Sequence, residues 1–267
     1  MWYYRTSGEA RNQIVLYEYQ PHRKYKNPER FLKSFTGYLH ADGNEVYHNL
    51  ADNVTVVGCW AHLKRKFFDA MITLPKDRPA SSSAAKGVEY CDRLFHLERQ
   101  FSELIHEERH RERERQAKPV VDEFFSWIGD LGSLPGTLLG KTASYGMSQR
   151  KYLERYLSDG RLEISNNRAE RSTNPFVMGR KNWLFTNAPN GAKARVIYYS
   201  LLVTAKENGL NPYEYLAWVF TNAPNVGKQG YIKSFEEFLS GSESIPMNVF
   251  TSIAGKGQTE QMAWEEE

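Results

Sequence analysis

Cysteine is nearly absent from this chain of 267 residues: Cys59 and Cys91 are the only two. That is too few for a disulfide framework and reads as a reduced, cytoplasmic protein. No run approaches the ~18 consecutive apolar residues that a membrane span needs. The start, Met1-Trp2-Tyr3-Tyr4-Arg5, lacks the basic-then-apolar shape of a secretion signal. There is no internal repeat, and neither sign of charge dominates, the formal net charge being +3. With 40% hydrophobic and 25% charged residues, a disordered tail, a collagen and a coiled-coil rod are excluded. What remains is one large globular domain or two modest ones, long enough to bury a core without staples.

The charge is unevenly spread. Between Lys141 and Lys206 twelve Lys or Arg face four acidic residues, whereas the chain ends on Glu265-Glu266-Glu267. A basic middle fits a phosphate-bearing partner, although a solvated basic surface has the same composition.

The first part reads as β. Trp2-Tyr3-Tyr4-Arg5 and Ile14 to Tyr19 are aromatic and β-branched with a turn at Ser7-Gly8, a hairpin pattern. Gly37 to Gly43 is a short strand ending on Asp42 and a glycine, and Val54 to Trp60 is an apolar run of buried-strand length. After Met71 the text turns helical. A long helix is expected from Ala84 to Arg115, with Leu94, Leu97, Phe101, Leu104 and Ile105 on one face; packing within the fold or dimerisation would both use that stripe. Its charged end, Glu107 to Arg115, reads as solvated. Helices are also expected over Val120–Ile128 and Tyr145–Leu157, and nothing between Ala84 and Asp159 reads as a strand. Ser165 or Asn166 is placed to cap a helix carrying Glu170, which Pro175 kinks or ends. A helix over Ala192–Asn208 stops at Gly209, and Asn211-Pro212 starts the next.

Two acids stand out. Asp42 sits where a strand runs out, beside Gly43, and Glu170 lies among Arg161, Arg168, Arg171 and Arg180. Carboxylates from distant segments can hold divalent metals ~3.5–4 Å apart and clamp a phosphodiester displacement, and oxygen ligands suit Mg²⁺. Equally, Asp42 can be a turn residue and Glu170 a partner of Arg171 or Asn174 on a helix surface. Cys59 and His62 have metal-like spacing, but a lone pair without two more ligands is a weak zinc signal. Arg180, Lys181 and Trp183 can hold phosphate and stack on an unpaired base, or Trp183 can be core.

The segments Leu39-His40-Ala41-Asp42-Gly43, Cys59 to Phe67, Glu163 to Arg171, Gly179 to Phe185 and Asn208 to Leu216 together resemble the insertion-sequence-66 family of DDE transposases. The resemblance runs from about Trp2 to Phe220 in order and spacing. It implies an α/β, ribonuclease-H-like fold: a mixed five-stranded sheet with an all-α insertion and C-terminal helices. It implies residues 1–71 as the first part of that core and 72–160 as the insertion. Residues 161–190 would be the catalytic helix and basic segment, 191–222 a helical region and 223–267 a loop-rich acidic tail.

The implied activity is Mg²⁺-dependent DNA cleavage and strand transfer, in a bacterial cytoplasm on the nucleoid, with element ends and target DNA as partners and no membrane. Three acids bind two Mg²⁺ ions in such enzymes. Asp42 matches the second and Glu170 the third, His62 lies in a motif beside them, and Arg168, Arg171, Arg180, Lys181 and Trp183 would face DNA. The first acid has no counterpart, because the chain opens at the hairpin that follows it in the family; Glu9, Glu18 and Asp52 match no motif. The resemblance is therefore to the C-terminal part of a transposase without the first strand. A missing N-terminal segment or self-association would complete it, and an inactive DNA-binding or oligomerising remnant is the alternative.

Overall fold

The computed structural model describes residues 1–22, 24, 26–75, 82–132, 135–182, 188–228, 234–239, 242 and 244–250, with the backbone alone at 180–182, 235 and 236. The architecture is mixed α/β and predominantly helical, with two two-stranded sheets among the described residues. The chain forms two compact units, residues 1–2 with 20–177 and residues 3–19 with 178–267.

In the first unit, helix α1 (Lys26–Phe31) precedes strands β3 (Gly37–His40) and β4 (Val54–Val57), which pair in parallel with His40 opposite Val57. The apolar run that reads as a strand to Trp60 stops three residues early, and Trp60 instead opens helix α2 (Trp60–Ile72). The helices that follow are α3 (Ser83–Gln100), α4 (His106–Glu112), one π-helical turn (Arg113–Ala117), α5 (Lys118–Gly129) and α6 (Leu138–Leu153). They build an aromatic core under β4. Phe124 of α5 meets the rings of Trp60, Phe67, Tyr90 and Phe125 at centroid distances of 5.3, 6.0, 5.7 and 5.0 Å, mostly edge to face, the arrangement aromatic quadrupoles favour. Of the expected stripe, Leu94 and Leu97 pack in this core and Phe101 is buried where α3 ends, while Ile105 is 61% exposed. At Gly87 a β-carbon would overlap the Phe67 ring, so glycine there lets α3 cross α2 closely.

The expected long helix is broken between Gln100 and His106. Its charged end is solvated at Glu107, Arg111, Glu114 and Arg115, as expected, but Arg109 and Arg113 are drawn inward. Arg109 closes the break by donating to the carbonyls of Phe101, Ser102 and Leu104 at 3.0–3.2 Å and to Gly160 at 3.1 Å. One turn later Arg113 is 1% exposed. Its guanidinium binds Glu98 at 2.6 and 2.8 Å and donates to the carbonyls of Tyr156, Asp159 and Leu162 at 2.7–2.8 Å. A charge can be buried when every donor finds an acceptor. The two arginines fasten the chain between residues 156 and 162, which leads to Glu170.

In the second unit β1 (Trp2–Arg5) and β2 (Val15–Glu18) pair, as the hairpin pattern implies. The other edge of β2 is closed by helix α9 (Pro189–Glu207). Ser200 Oγ accepts from Tyr17 N–H at 2.9 Å; Thr204 Oγ1 accepts from Val15 N–H at 2.9 Å and donates to Val15 O at 3.0 Å; the Asn208 amide bonds Gln13 N–H and C=O. Four helical residues rise ~6 Å and two strand residues ~6.6 Å, so polar side chains at every fourth position match alternate strand residues. Gly209, with φ +74°, ends this segment, and Asn211 Oδ1 caps α10 (Pro212–Asn222) through Tyr213 and Glu214 N–H, both as expected. No helix among the described residues is long and apolar enough to cross a membrane.

Candidate active site at the carboxyl end of the parallel strands

Parallel strands leave a sheet at the same end, where α/β proteins place ligands. Asp42 follows His40 by two residues and Cys59 follows Val57 by two, so the His40–Val57 register delivers both to that end. The Ala41 N–H to Val57 O bond, 3.0 Å, carries the pairing one residue beyond the strand. The chain before Glu170 is tied to the same place. Trp60 N–H donates to Ile164 O at 3.1 Å, and Asn166 N–H donates to Cys59 Sγ at 3.4 Å. Helix α7 (Asn167–Arg171) starts there, and Glu170 Oε1 lies 3.0 Å from His62 Nε2 of α2, both side chains partly exposed. Pro175 does not kink this helix; α7 ends at Arg171 and Pro175 lies in the first turn of α8 (Asn174–Asn182), where a missing N–H costs nothing.

Helix α6 also meets this end. Gly58 N–H donates to Tyr152 O at 2.9 Å, the Tyr152 ring stacks on His48 with centroids 4.3 Å apart, and the Tyr145 phenol lies against Gly43. Lys66 Nζ sits 4.5 Å from the Tyr145 ring centroid.

Asp42 acts on the Tyr145 phenol and Glu170 on the Cys59 thiol. Burial, with the charges of Cys59 and Asp42, pushes the Tyr145 phenol up to about 12, opposed by a hydrogen bond from Gly43 N–H. Burial also raises the Cys59 thiol; N–H donors from Asn166, His62 and Ala61 oppose this, and the Glu170 charge adds to it. Burial lowers His40 to about 4, so this imidazole is neutral at physiological pH.

Several polar atoms here are buried with no hydrogen-bond partner among the described residues: Asp42 Oδ1, Asn166 Oδ1 and His62 Nδ1. Asn166 stands at the N-cap of α7 as expected, yet makes no side-chain cap bond. Buried unsatisfied acceptors call for a partner the chain does not supply. Two carboxylates and an amide oxygen are hard donors of the kind Mg²⁺ takes alongside water. No group of three or more His, Cys, Asp or Glu among the described residues could hold a metal ion.

Of the basic residues marked from sequence, Arg168 donates to Glu163 at 2.8 Å and stays partly exposed, and Arg171 is exposed on α7. Trp183 and the side chains of Arg180 and Lys181 lie outside the described residues. The sequence alone does not single out Tyr145, Lys66, half-buried Arg109 or buried Arg113. Their available signals were faint: a Tyr-Gly pair inside a helix, and arginines four apart in a charged run.

The fold is thus that of a mixed α/β protein with a candidate carboxylate site at the carboxyl end of a parallel strand pair. The chain belongs to the transposase IS66 family: residues 1–194 match that family, and residues 200–234 match the IS66 C-terminal element. Similar proteins occur in Sinorhizobium fredii (strain NBRC 101917 / NGR234). The uncharacterized protein y4qI is 32% identical over 234 residues, covering 81% of this chain and 42% of its own. The uncharacterized protein y4hP is 26% identical over 232 residues, covering 80% and 41%. The chain therefore spans about two fifths of the length of the curated relatives it matches. No solved structure matches.

Proposed function

We propose that the chain supplies the catalytic-core portion of a DNA transposase acting on the bacterial nucleoid in the cytoplasm. In this reading residues 1–71 and 161–190 make a ribonuclease-H-like core, 72–160 an all-α insertion, 191–222 a helical region and 223–267 a tail. The reaction is divalent-metal-dependent cleavage of element ends and strand transfer into target DNA. Asp42 and Glu170 are the carboxylates that hold Mg²⁺, and His62 orients Glu170. Held by Asp42 and Glu170, Mg²⁺ would supply Lewis-acid activation of a water or 3′-hydroxyl and charge stabilisation at the leaving oxygen. Arg168 and Arg171, on the helix that carries Glu170, bind phosphates beside the acids. Arg180, Lys181 and Trp183 extend that surface, with Trp183 stacking on an unpaired base.

The observation that carries this reading is the pair of tethers at one sheet end: Asp42 leaves β3 there with an unpartnered oxygen, and Glu170 is drawn toward α2 by His62 at 3.0 Å. The lack of a three-ligand group among the described residues favours a second reading, a DNA-binding or oligomerising protein without catalysis. Incubation with labelled element-end DNA and Mg²⁺ separates the two. Cleavage that disappears in both Asp42→Asn and Glu170→Gln, with DNA binding retained, supports the enzyme. Binding without cleavage supports the second reading, and cleavage undiminished in both variants removes the site assignment.

A further inference from the structure

Resting on Asp42 as a metal-holding carboxylate, we propose that Tyr145 is a positioning residue of the acid site: its phenol pins the Asp42–Gly43 turn and so sets where the Asp42 carboxylate points. The contact comes from α6, in the part of the chain that sequence alone assigns to an insertion. A β-carbon at Gly43 would overlap Tyr145 Oη and come within 2.8 Å of Cε2 and Cζ, so the residue after Asp42 is glycine because the phenol occupies its side-chain space. The Gly43 N–H lowers the pKa of this phenol and the Asp42 charge raises it, as their closeness requires.

A second glycine seats the same tyrosine. A β-carbon at Gly146 would stand 2.8 Å from Ile128 Cδ1 and 3.5 Å from Leu63 Cδ1, so α6 lies tightly on α5 and α2 just where Tyr145 projects. Thr142 Oγ1 donates to Lys66 O at 3.3 Å one turn earlier, and Lys66 covers the ring. Residues 145, 149 and 152 share one face of the helix. Along it Tyr145 meets Gly43, Gln149 is buried, and Tyr152 meets both His48 and Gly58. This face therefore braces the loops leaving both parallel strands. Asp42 Oδ1 has no hydrogen bond of its own among the described residues, so the phenol seated against Gly43 is a direct restraint on this turn.

The test uses the full chain and Mn²⁺ as probe, with free Mn²⁺ read by electron paramagnetic resonance and amide exchange at Gly43 read by mass spectrometry. Tyr145→Phe removes only the hydroxyl. Mn²⁺ affinity is expected to fall about tenfold, the scale of losing a residue that orients a ligand. The Gly43 amide is expected to exchange faster, with the melting temperature unchanged. Gly43→Ala, which displaces the phenol, is expected to weaken Mn²⁺ comparably and guards against an unstable Tyr145 variant. Unchanged Mn²⁺ affinity in both variants, while Asp42→Asn abolishes binding, overturns the role of Tyr145 and leaves the acid site standing. Equal Mn²⁺ behaviour in the wild type and Asp42→Asn overturns the acid site, and this proposal with it.

Discussion

Replacing Arg113 by methionine keeps most of the side-chain volume and removes five donors. The guanidinium is 1% exposed, its partner Glu98 is 13% exposed, and three backbone carbonyls depend on it. Removing one member of a buried pair costs about 3–5 kcal/mol because the other charge remains buried and unpaired. The three carbonyls at 2.7–2.8 Å add to the loss unless water reaches them. At about 2–4 °C per kcal/mol for a unit of this size, the melting temperature should fall by roughly 6–20 °C. Urea unfolding followed by tryptophan fluorescence gives the free energy, since Trp60 lies in the same core. Glu98→Gln, which keeps acceptor capacity, should cost less. A loss below about 1 kcal/mol for Arg113→Met would refute the argument that this arginine fastens the segment leading to Glu170.

In the second unit, Thr204→Val is isosteric but leaves the N–H and C=O of fully buried Val15 unpaired; a loss of roughly 2–4 kcal/mol is expected in denaturant unfolding. Tyr17 is pushed up to about 12, first by burial and then by the charges of Tyr199 and Glu207, with Arg5 opposing. A raised pKa makes its stabilisation complete below pH ~10 and lost as pH climbs from about 10 to 12, so Tyr17→Phe should flatten the alkaline decline of stability. Both cysteines are free and buried, and burial raises both thiols. A thiol reagent should therefore find essentially none in the native protein and two in urea.

Local signals survived folding where a residue's own chemistry decided the outcome. The Asp42-Gly43 strand end, the Gly209 stop and the Asn211-Pro212 start depend on backbone preferences and capping that act within a few residues. The reading failed where distant chain supplied the partner. Glu107 to Arg115 is exposed at four of its residues, as its composition implies, but composition cannot show that carbonyls near residue 160 would take up Arg109 and Arg113. Asn166 looked like an ordinary cap because its position is that of one, while its oxygen points elsewhere. Tyr145 was invisible for the same reason: its importance lies in a glycine a hundred residues earlier. The positions of the two acids, Asp42 just past a strand and Glu170 near a helix end, were legible because each lies beside a glycine or an arginine.

The convergence of Asp42 and Glu170 on one cation is tested most directly by Fe²⁺-directed cleavage of the backbone, with ascorbate and peroxide generating radicals at the bound ion. Scission is predicted in two clusters, one at residues 40–44 and the other at 166–170, both suppressed by excess Mg²⁺ and by Asp42→Asn. Cuts confined to one cluster, or cuts that persist in Asp42→Asn, would contradict a shared site.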